Sequence, residues 1–371
     1  MKARGKRLRV GVVFGGRSVE HDVSLVSAQA ITAALDRSRY EVVPIQVGRD
    51  GRWPGKTMER LLGRRATLDV VFPIIHGTDG EDGALQGFLT LAGVPFVGAG
   101  VLGSALGMDK SVMKVAFHQA GLPIVRHTVV ERAEFETGPS ATTTRVAKHC
   151  GFPAFVKPAN GGSSVGVSKA RDPKSLEAAL RLALRYDRKV IAEAAVDARE
   201  IECSVLGNDS PEASIAGEIV PAREFYDYAS KYLDTGSKLL IPAPISARQQ
   251  ELARDLAVRA FKALDLSGMA RVDFFLDRQT GSLFLNEVNT LPGFTPISMY
   301  PKLWEASGLP FPALVDRLIA LAFERHAQRQ ALVTAYRPLR EATRARPASP
   351  RPARRKPAPA RGVRGRRRAR A

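Results

Sequence analysis

Cysteine is nearly absent. Cys150 and Cys203 are the only two in 371 residues, and no CxxC spacing occurs. That excludes a disulfide framework and a thiolate metal site, and makes a reducing compartment the expectation. Long apolar runs are missing too. No stretch approaches the ~18 residues that a spanning helix needs. The run VGVVF behind the basic start KARGKRLR is too short for a signal peptide and reads as a buried strand. The expected setting is the cytoplasm, with no membrane. Familiar nucleotide motifs are also lacking. GRWPGKT at Gly51–Thr57 falls one residue short of P-loop spacing, and no GxGxxG follows the first strand-like run.

Acidic residues are outnumbered, 37 against 56 Lys and Arg, for a formal charge of +19. The excess sits at the ends. Residues 334–371 hold 14 basic groups and one acid, and the first nine residues hold five basic groups. Val10–Val333 holds 37 basic and 36 acidic residues, so it is nearly neutral. A nucleic-acid partner is therefore not expected, apart from nonspecific contact through the tail. That tail is rich in Pro, Ala and Arg, with too few large apolar residues to offset its ordering entropy, and is expected to be disordered. The composition as a whole, 44% apolar and 25% charged, is that of a globular chain long enough for two or three domains.

Strand-like runs at Leu8–Phe14, Tyr40–Val47 and Asp69–Ile75 alternate with helical stretches near Val23–Leu35 and Gly83–Ala92, and a short run at Val94–Val97 follows. The alternation predicts a parallel sheet covered on both faces, ending near Gly100. Beyond it, helices are predicted at Asp109–Ala120, Lys174–Tyr186, Arg248–Leu264 and Phe311–His326. Strands are predicted at Phe152–Lys157, Val190–Ala195 and Ile201–Leu206. Met269–Val288 reads as a β-hairpin turning near Thr280, and Pro221–Pro244 as a long functional loop.

The hairpin carries the most chemistry. Pairing about that turn sets Asp273 opposite Glu287 and Arg271 opposite Asn289, all on one face, with Val272, Phe274, Phe284 and Val288 on the other. Facing carboxylates repel unless a cation lies between them, which suits a hard divalent metal whose other ligands are phosphates. The competing reading is a solvated tip bridged to Arg271. In FVKPANGGSSVGVSK a strand delivers Lys157 to a Gly/Ser loop, which is either an anion cradle or a flexible turn. Glu20 opens a helix beyond the first strand, where it could hold an ammonium group or favour the helix dipole. His76 ends another strand, as a structural or a catalytic residue.

Taken in order, FGGRSVEHDVS, HGTDGEDGALQG, FVGAG…MDK, FVKPANGGSSVGVSK, REIECSVLGN, YDYASKY, MARVDFFL and NEVNTLPGFTPISMYPKLW resemble the D-alanine–D-alanine ligase family of the ATP-grasp superfamily, over Arg9–His326. The resemblance implies an α/β chain with α+β lobes. It would have an N-terminal doubly wound parallel-sheet domain at 1–105, ATP-grasp lobes at 106–197 and 198–333, and the tail at 334–371. It also implies ATP-dependent joining of two D-alanine molecules through an acyl phosphate, supplying a peptidoglycan precursor. Partners would be D-alanine and ATP, with a homodimer through the N-terminal lobe. A related ligase taking D-lactate or D-serine is the alternative, although ester-forming relatives tend to carry histidine where this chain has Tyr232.

By motif match, Lys110, Lys157 and Lys231 neutralise ATP phosphates, capped by backbone groups of Ser163, Ser164 and Val165. Glu193 and Val196 fall at adenine and Glu200 at ribose. Asp273, Glu287 and Asn289 match the ligands of two Mg²⁺ or Mn²⁺ ions. The resemblance further implies that Glu20 would grip the first D-alanine's ammonium group, with His76 nearby, that Arg271 and the Gly293 N–H would stabilise the oxyanion, that Ser298 and Met299 would receive the second carboxylate, and that Tyr232 would link a mobile loop to Ser163 and Glu20.

Overall fold

The computed structural model describes residues 7–57, 67–221 and 238–333. Lys231, Tyr232 and the basic tail at 334–371 lie outside them. Met1–Arg329 forms one unit, in which the described strands make three sheets.

The first sheet is parallel, as the alternation predicts. β1 (Leu8–Gly15) lies between β2 (Tyr40–Val47) and β3 (Val70–Pro73), and Phe96 extends the pairing beyond Val71. β3 is buried along its whole length, as parallel strands covered on both faces require. α1 (His21–Ala34) buries Val23, Ala28 and Ile31, while α2 (Ala84–Ala92) buries Leu85 and Leu89.

α3 (Val101–Met108) and α4 (Lys110–Gln119) lead out of this sheet. No helix was predicted over α3, which contains two glycines. They are there for close packing. A Cβ at Gly107 would lie 2.4 Å from Thr290 Cγ2, and one at Gly103 would lie 2.8 Å from Leu266 Cδ2. α4 begins where expected. The Asp109 carboxylate accepts from the Ser111 and Val112 N–H groups, a side-chain N-cap.

The second sheet is antiparallel. It is built from β4 (His127–Glu131), β5 (Ala154–Pro158), β6 (Ser168–Ala170) and β7 (Lys189–Ala194), in the order β4-β7-β5-β6. α5 (Arg132–Thr137), α6 (Pro139–Cys150) and α7 (Pro173–Ala183) close one face over Val130, Val146, Leu176, Leu180 and Val190. α6 was invisible in the sequence because PSATTTRVAKHC is poor in helix formers. Pro139 at its start helps it, and the Thr143 and Thr144 hydroxyls donate to carbonyls one turn back.

The third sheet is also antiparallel. β8 (Ala198–Gly207), β9 (Glu212–Val220), β10 (Lys238–Leu240), β11 (Gly268–Asp277) and β12 (Leu283–Asn289) run in the order β10-β9-β8-β11-β12. α8 (Ala247–Ala263) presses Leu256, Ala260 and Phe261 onto Cys203, Val205 and Val272. Both cysteines are buried and free. α9 (Met299–Ala306) packs on the sheet beside Ile219, and α10 (Phe311–Gln330) buries Leu314 and Leu318 in the same cluster as Val10 and Phe72 of the first sheet. Among the described residues no single helix is long and apolar enough to cross a membrane.

The hairpin differs from expectation in one respect. Asp273 faces Glu287 and Arg271 faces Asn289, but a bulge follows between Asp273 and Phe274. Asn286 becomes the extra residue, Phe274 pairs with Leu285, and Phe284 pairs with Phe275. Phe284 therefore leaves the core face to which strict alternation assigned it, and Leu285 is buried instead.

Candidate active site

A cavity of about 830 Å³ lies between the second and third sheets. Its walls include Lys157 from β5, the loop 161–165, Glu193 from β7, Glu200 and Glu202 from β8, and Arg271 and Asp273 from β11. Asn286 and Glu287 from β12 and Lys110 from α4 complete one end.

Register brings the acids together. Asp273 faces Glu202 across β8 and Glu287 across β12, so three carboxylates stand abreast on neighbouring strands. Such a row persists only if cations answer it. The Arg271 guanidinium donates twice to Asp273, at 2.7 Å each, and its Nε lies 3.1 Å from Glu202. Lys110 Nζ lies 3.2 Å from Glu287 and donates to the Gly161 carbonyl at 2.7 Å. The helix presenting Lys110 is itself anchored, since Lys189 Nζ is 2.5 Å from Asp109.

Deeper in, Glu193 bridges two lysines, 2.8 Å from Lys114 Nζ and 2.7 Å from Lys157 Nζ. Burial alone would raise the Glu193 carboxyl, but the two ammonium groups override it and hold it at about 2. Burial pulls Lys114 below the usual lysine range, while for Lys157 the opposing pull of Glu193 and Glu287 wins and raises it.

The glycine-rich loop takes a left-handed path. Ser163 and Ser164 have φ of 51° and 58°, values few side chains adopt. This path carries the Ser163 hydroxyl to Glu20, to which it donates at 2.5 Å. The Val165 N–H donates within the loop to the Gly162 carbonyl at 3.2 Å. The parallel sheet thus meets the cavity through Glu20. A Cβ at Gly77 would come within 3.1 Å of Glu20 Oε2, and one at Gly162 within 3.3 Å.

His76 is buried near Glu20, its Nδ1 3.3 Å from Glu81 Oε1 and 3.1 Å from the Leu291 carbonyl. Burial would lower the imidazole, but Glu81 and Glu20 carry it above its ordinary value. The Leu291 N–H donates to Asn289 Oδ1 at 3.0 Å, which ties the end of the hairpin to the same place. Beyond it, Ser298 immediately precedes α9, and its hydroxyl, which makes no capping bond to the helix, accepts the Thr295 N–H at 2.9 Å. Gly293 is held against it, because a Cβ there would meet Ser298 Oγ at 2.8 Å. The Met299 side chain is buried with Ile219 and Leu303, and the residue stands in the first turn of α9, where backbone N–H groups have no partner within the helix.

Of the residues the sequence singled out, Lys110, Lys157, Ser163, Ser164, Val165, Glu193, Val196, Glu200, Arg271, Asp273 and Glu287 line the cavity. Glu20, His76, Asn289, Gly293, Ser298 and Met299 are not among its walls. Glu20 meets a wall residue through Ser163, Asn289 pairs with Arg271, and Met299 packs with Ile219. Sequence reasoning missed Lys114, Glu202 and Asn286. Lys114 lies one turn beyond Lys110 on the same helix face, a spacing that could have revealed it. Glu202 follows Glu200 with strand periodicity. Asn286 needed the bulge.

The C-terminal family model of D-Ala–D-Ala ligases matches residues 116–320, and the N-terminal model matches 9–65 and 56–99. A D-alanine–D-alanine ligase of Solibacter usitatus (strain Ellin6076) is 50% identical over 325 residues, covering 87% of this chain and 98% of the relative. Among solved structures, the D-alanine–D-alanine ligase of Coxiella burnetii is similar with a TM-score of 0.77 and 35% identity, covering 88% of this chain and 97% of the other. A D-Ala:D-Ser ligase of Enterococcus faecalis is similar with a TM-score of 0.75 and 34% identity, covering 85% and 100%.

Proposed function

The chain belongs to the D-alanine–D-alanine ligase family, and from that premise we propose that it uses ATP to join two D-alanine molecules into D-alanyl-D-alanine for the peptidoglycan precursor. The first D-alanine's carboxylate attacks the γ-phosphorus, ADP leaves, and an acyl phosphate forms. The second D-alanine's amine attacks the acyl carbon, and phosphate departs from the tetrahedral intermediate.

The acyl phosphate supplies the activation, so the protein's work is positioning and neutralisation. Lys110, Lys157 and Lys231 would neutralise the phosphates, with backbone groups of Ser163, Ser164 and Val165 capping them. Glu193 and Val196 take the adenine and Glu200 the ribose. Glu20 holds the first substrate's ammonium group beside His76. Arg271 and the Gly293 N–H receive the oxyanion, and Ser298 with the Met299 N–H receives the second carboxylate. Tyr232 belongs to the segment that shuts water out.

Asp273, Glu287 and Asn289 fit a pair of Mg²⁺ or Mn²⁺ ions as hard oxygen donors. Among the described residues no group of three or more His, Cys, Asp or Glu side chains could hold a metal unaided. Bound there, the ions would offset charge on the transferred phosphoryl group. A homodimer through the N-terminal lobe and a cytoplasmic location accompany the family reading.

One observation carries the proposal. The Ser163–Glu20 hydrogen bond joins the glycine-rich loop to the mouth of the parallel sheet, and on this reading an amino acid held at Glu20 would lie beside a phosphate held by that loop. The test is phosphate release from ATP with D-alanine present or absent, followed by product mass from mixtures of D-alanine, D-serine and D-lactate. Release indifferent to D-alanine refutes the reading, and a mixed product reassigns the acceptor.

A further inference from the structure

Lys114 has no part in the mechanism above, yet it is 0% exposed. Lysine is almost never fully buried unless paired, and its partners show what this one does. Its Nζ lies 2.8 Å from Glu193 Oε1 and donates to the Asn286 carbonyl at 3.2 Å. Lys157 Nζ takes the other Glu193 oxygen at 2.7 Å and reaches Asn286 Oδ1 at 3.4 Å. One carboxylate is thus divided between two ammonium groups, and the bulge residue Asn286 fixes both. Glu193, Lys157 and Asn286 line the cavity, and Lys114 stands behind them.

The charge count of this cluster is one negative and two positive. We propose that Lys114 is a positioning residue for nucleotide binding, which engages one oxygen of Glu193 so that Lys157 keeps a net positive charge toward the polyphosphate. Without Lys114, Glu193 and Lys157 close into a neutral pair, and the cavity loses one unit of positive charge at the phosphate end. The inference rests on the ligase reading, which supplies the polyphosphate.

The test measures binding of inorganic tripolyphosphate and of adenosine, separately, to the full chain by calorimetry. Wild type, Lys114→Met and the double variant Lys114→Met/Glu193→Gln are compared. Lys114→Met should weaken tripolyphosphate by about tenfold, the order of one charge at a partly desolvated site, and weaken adenosine, whose adenine is proposed to meet Glu193, by a clearly smaller factor. The double variant removes one charge of each sign, so tripolyphosphate affinity should return to within about threefold of wild type. A merely architectural lysine predicts the opposite, with both probes weakened equally and the double variant worse than the single. Either that pattern or an unchanged Lys114→Met overturns the proposal. Should Lys114→Met not fold, Lys114→Gln, which keeps a donor for the Asn286 carbonyl, carries the same prediction. A wild type that releases no phosphate with D-alanine overturns the ligase reading, whereas an active wild type with indifferent variants overturns the role of Lys114 alone.

Discussion

Replacing Ser163 tests the junction between the two halves of the site. Its hydroxyl donates to Glu20 at 2.5 Å and the residue is 6% exposed. A hydrogen bond to a charged group contributes about 1.5–3 kcal/mol. Its loss in Ser163→Ala should therefore lower kcat/KM by about 10- to 100-fold for both ATP and D-alanine. The backbone supplies an internal control. Ser163 has φ of 51°, a conformation that costs a residue with a Cβ about 1–2 kcal/mol relative to glycine. Ser163→Gly loses the same hydrogen bond but relieves that cost. It should match Ser163→Ala in activity while resisting urea better, by about 1 kcal/mol. Coupled phosphate release gives the first comparison and urea denaturation the second. Wild-type kcat/KM in Ser163→Ala would mean that the contact with Glu20 does not organise the reaction. A glycine variant less stable than the alanine variant would mean that the left-handed path is not the one the loop takes.

Three further outcomes follow from the geometry. Asp273→Asn removes a proposed metal ligand and loosens Arg271 from its double hydrogen bond. Chelation with EDTA should weaken ADP binding to wild type but change it much less in the variant, as read by calorimetry. Gly217→Ala places a Cβ 2.4 Å from Met299 Cε and 2.8 Å from Leu303 Cδ2. It should lower stability by about 1–3 kcal/mol and raise KM for the second D-alanine more than for ATP, because the first turn of α9 must shift. Glu193, held at about 2 against an ordinary 4.5, stabilises the fold through its ionised form. That contribution, about 3 kcal/mol, is complete above about pH 4.5 and is lost as pH falls towards 2. The stability gap between wild type and Glu193→Gln should narrow over that interval in urea titrations, and a constant gap would contradict the assignment.

Much of this site was legible because it depends on local rules. Gly281 and the period of two are enough to place Asp273 opposite Glu287, since a hairpin's register follows from its turn. Asp109 announced the start of α4 because an Asx side chain before a helix has one evident use. The parallel sheet followed from strands separated by helices. What was not legible depends on contacts distant in sequence. α3 needed glycines to pass Thr290 and Leu266, a demand made from the far side of the molecule. Lys114 stands one turn from Lys110, but nothing in α4 says that β7 will present Glu193 to it. The hairpin shows the boundary best. Its alternation was right up to Asp273 and wrong for Phe284, because the bulge inserts Asn286. Once inserted, Asn286 accepts from Lys114 through its carbonyl and from Lys157 through its side chain. The departure from alternation and the contact that orders the two lysines therefore have one cause. Unbroken pairing would have handed Leu285 to the half-buried face and left Asn286 toward the core. The deviation from strict alternation is what keeps the core apolar while admitting a second amide-bearing residue beside Glu287.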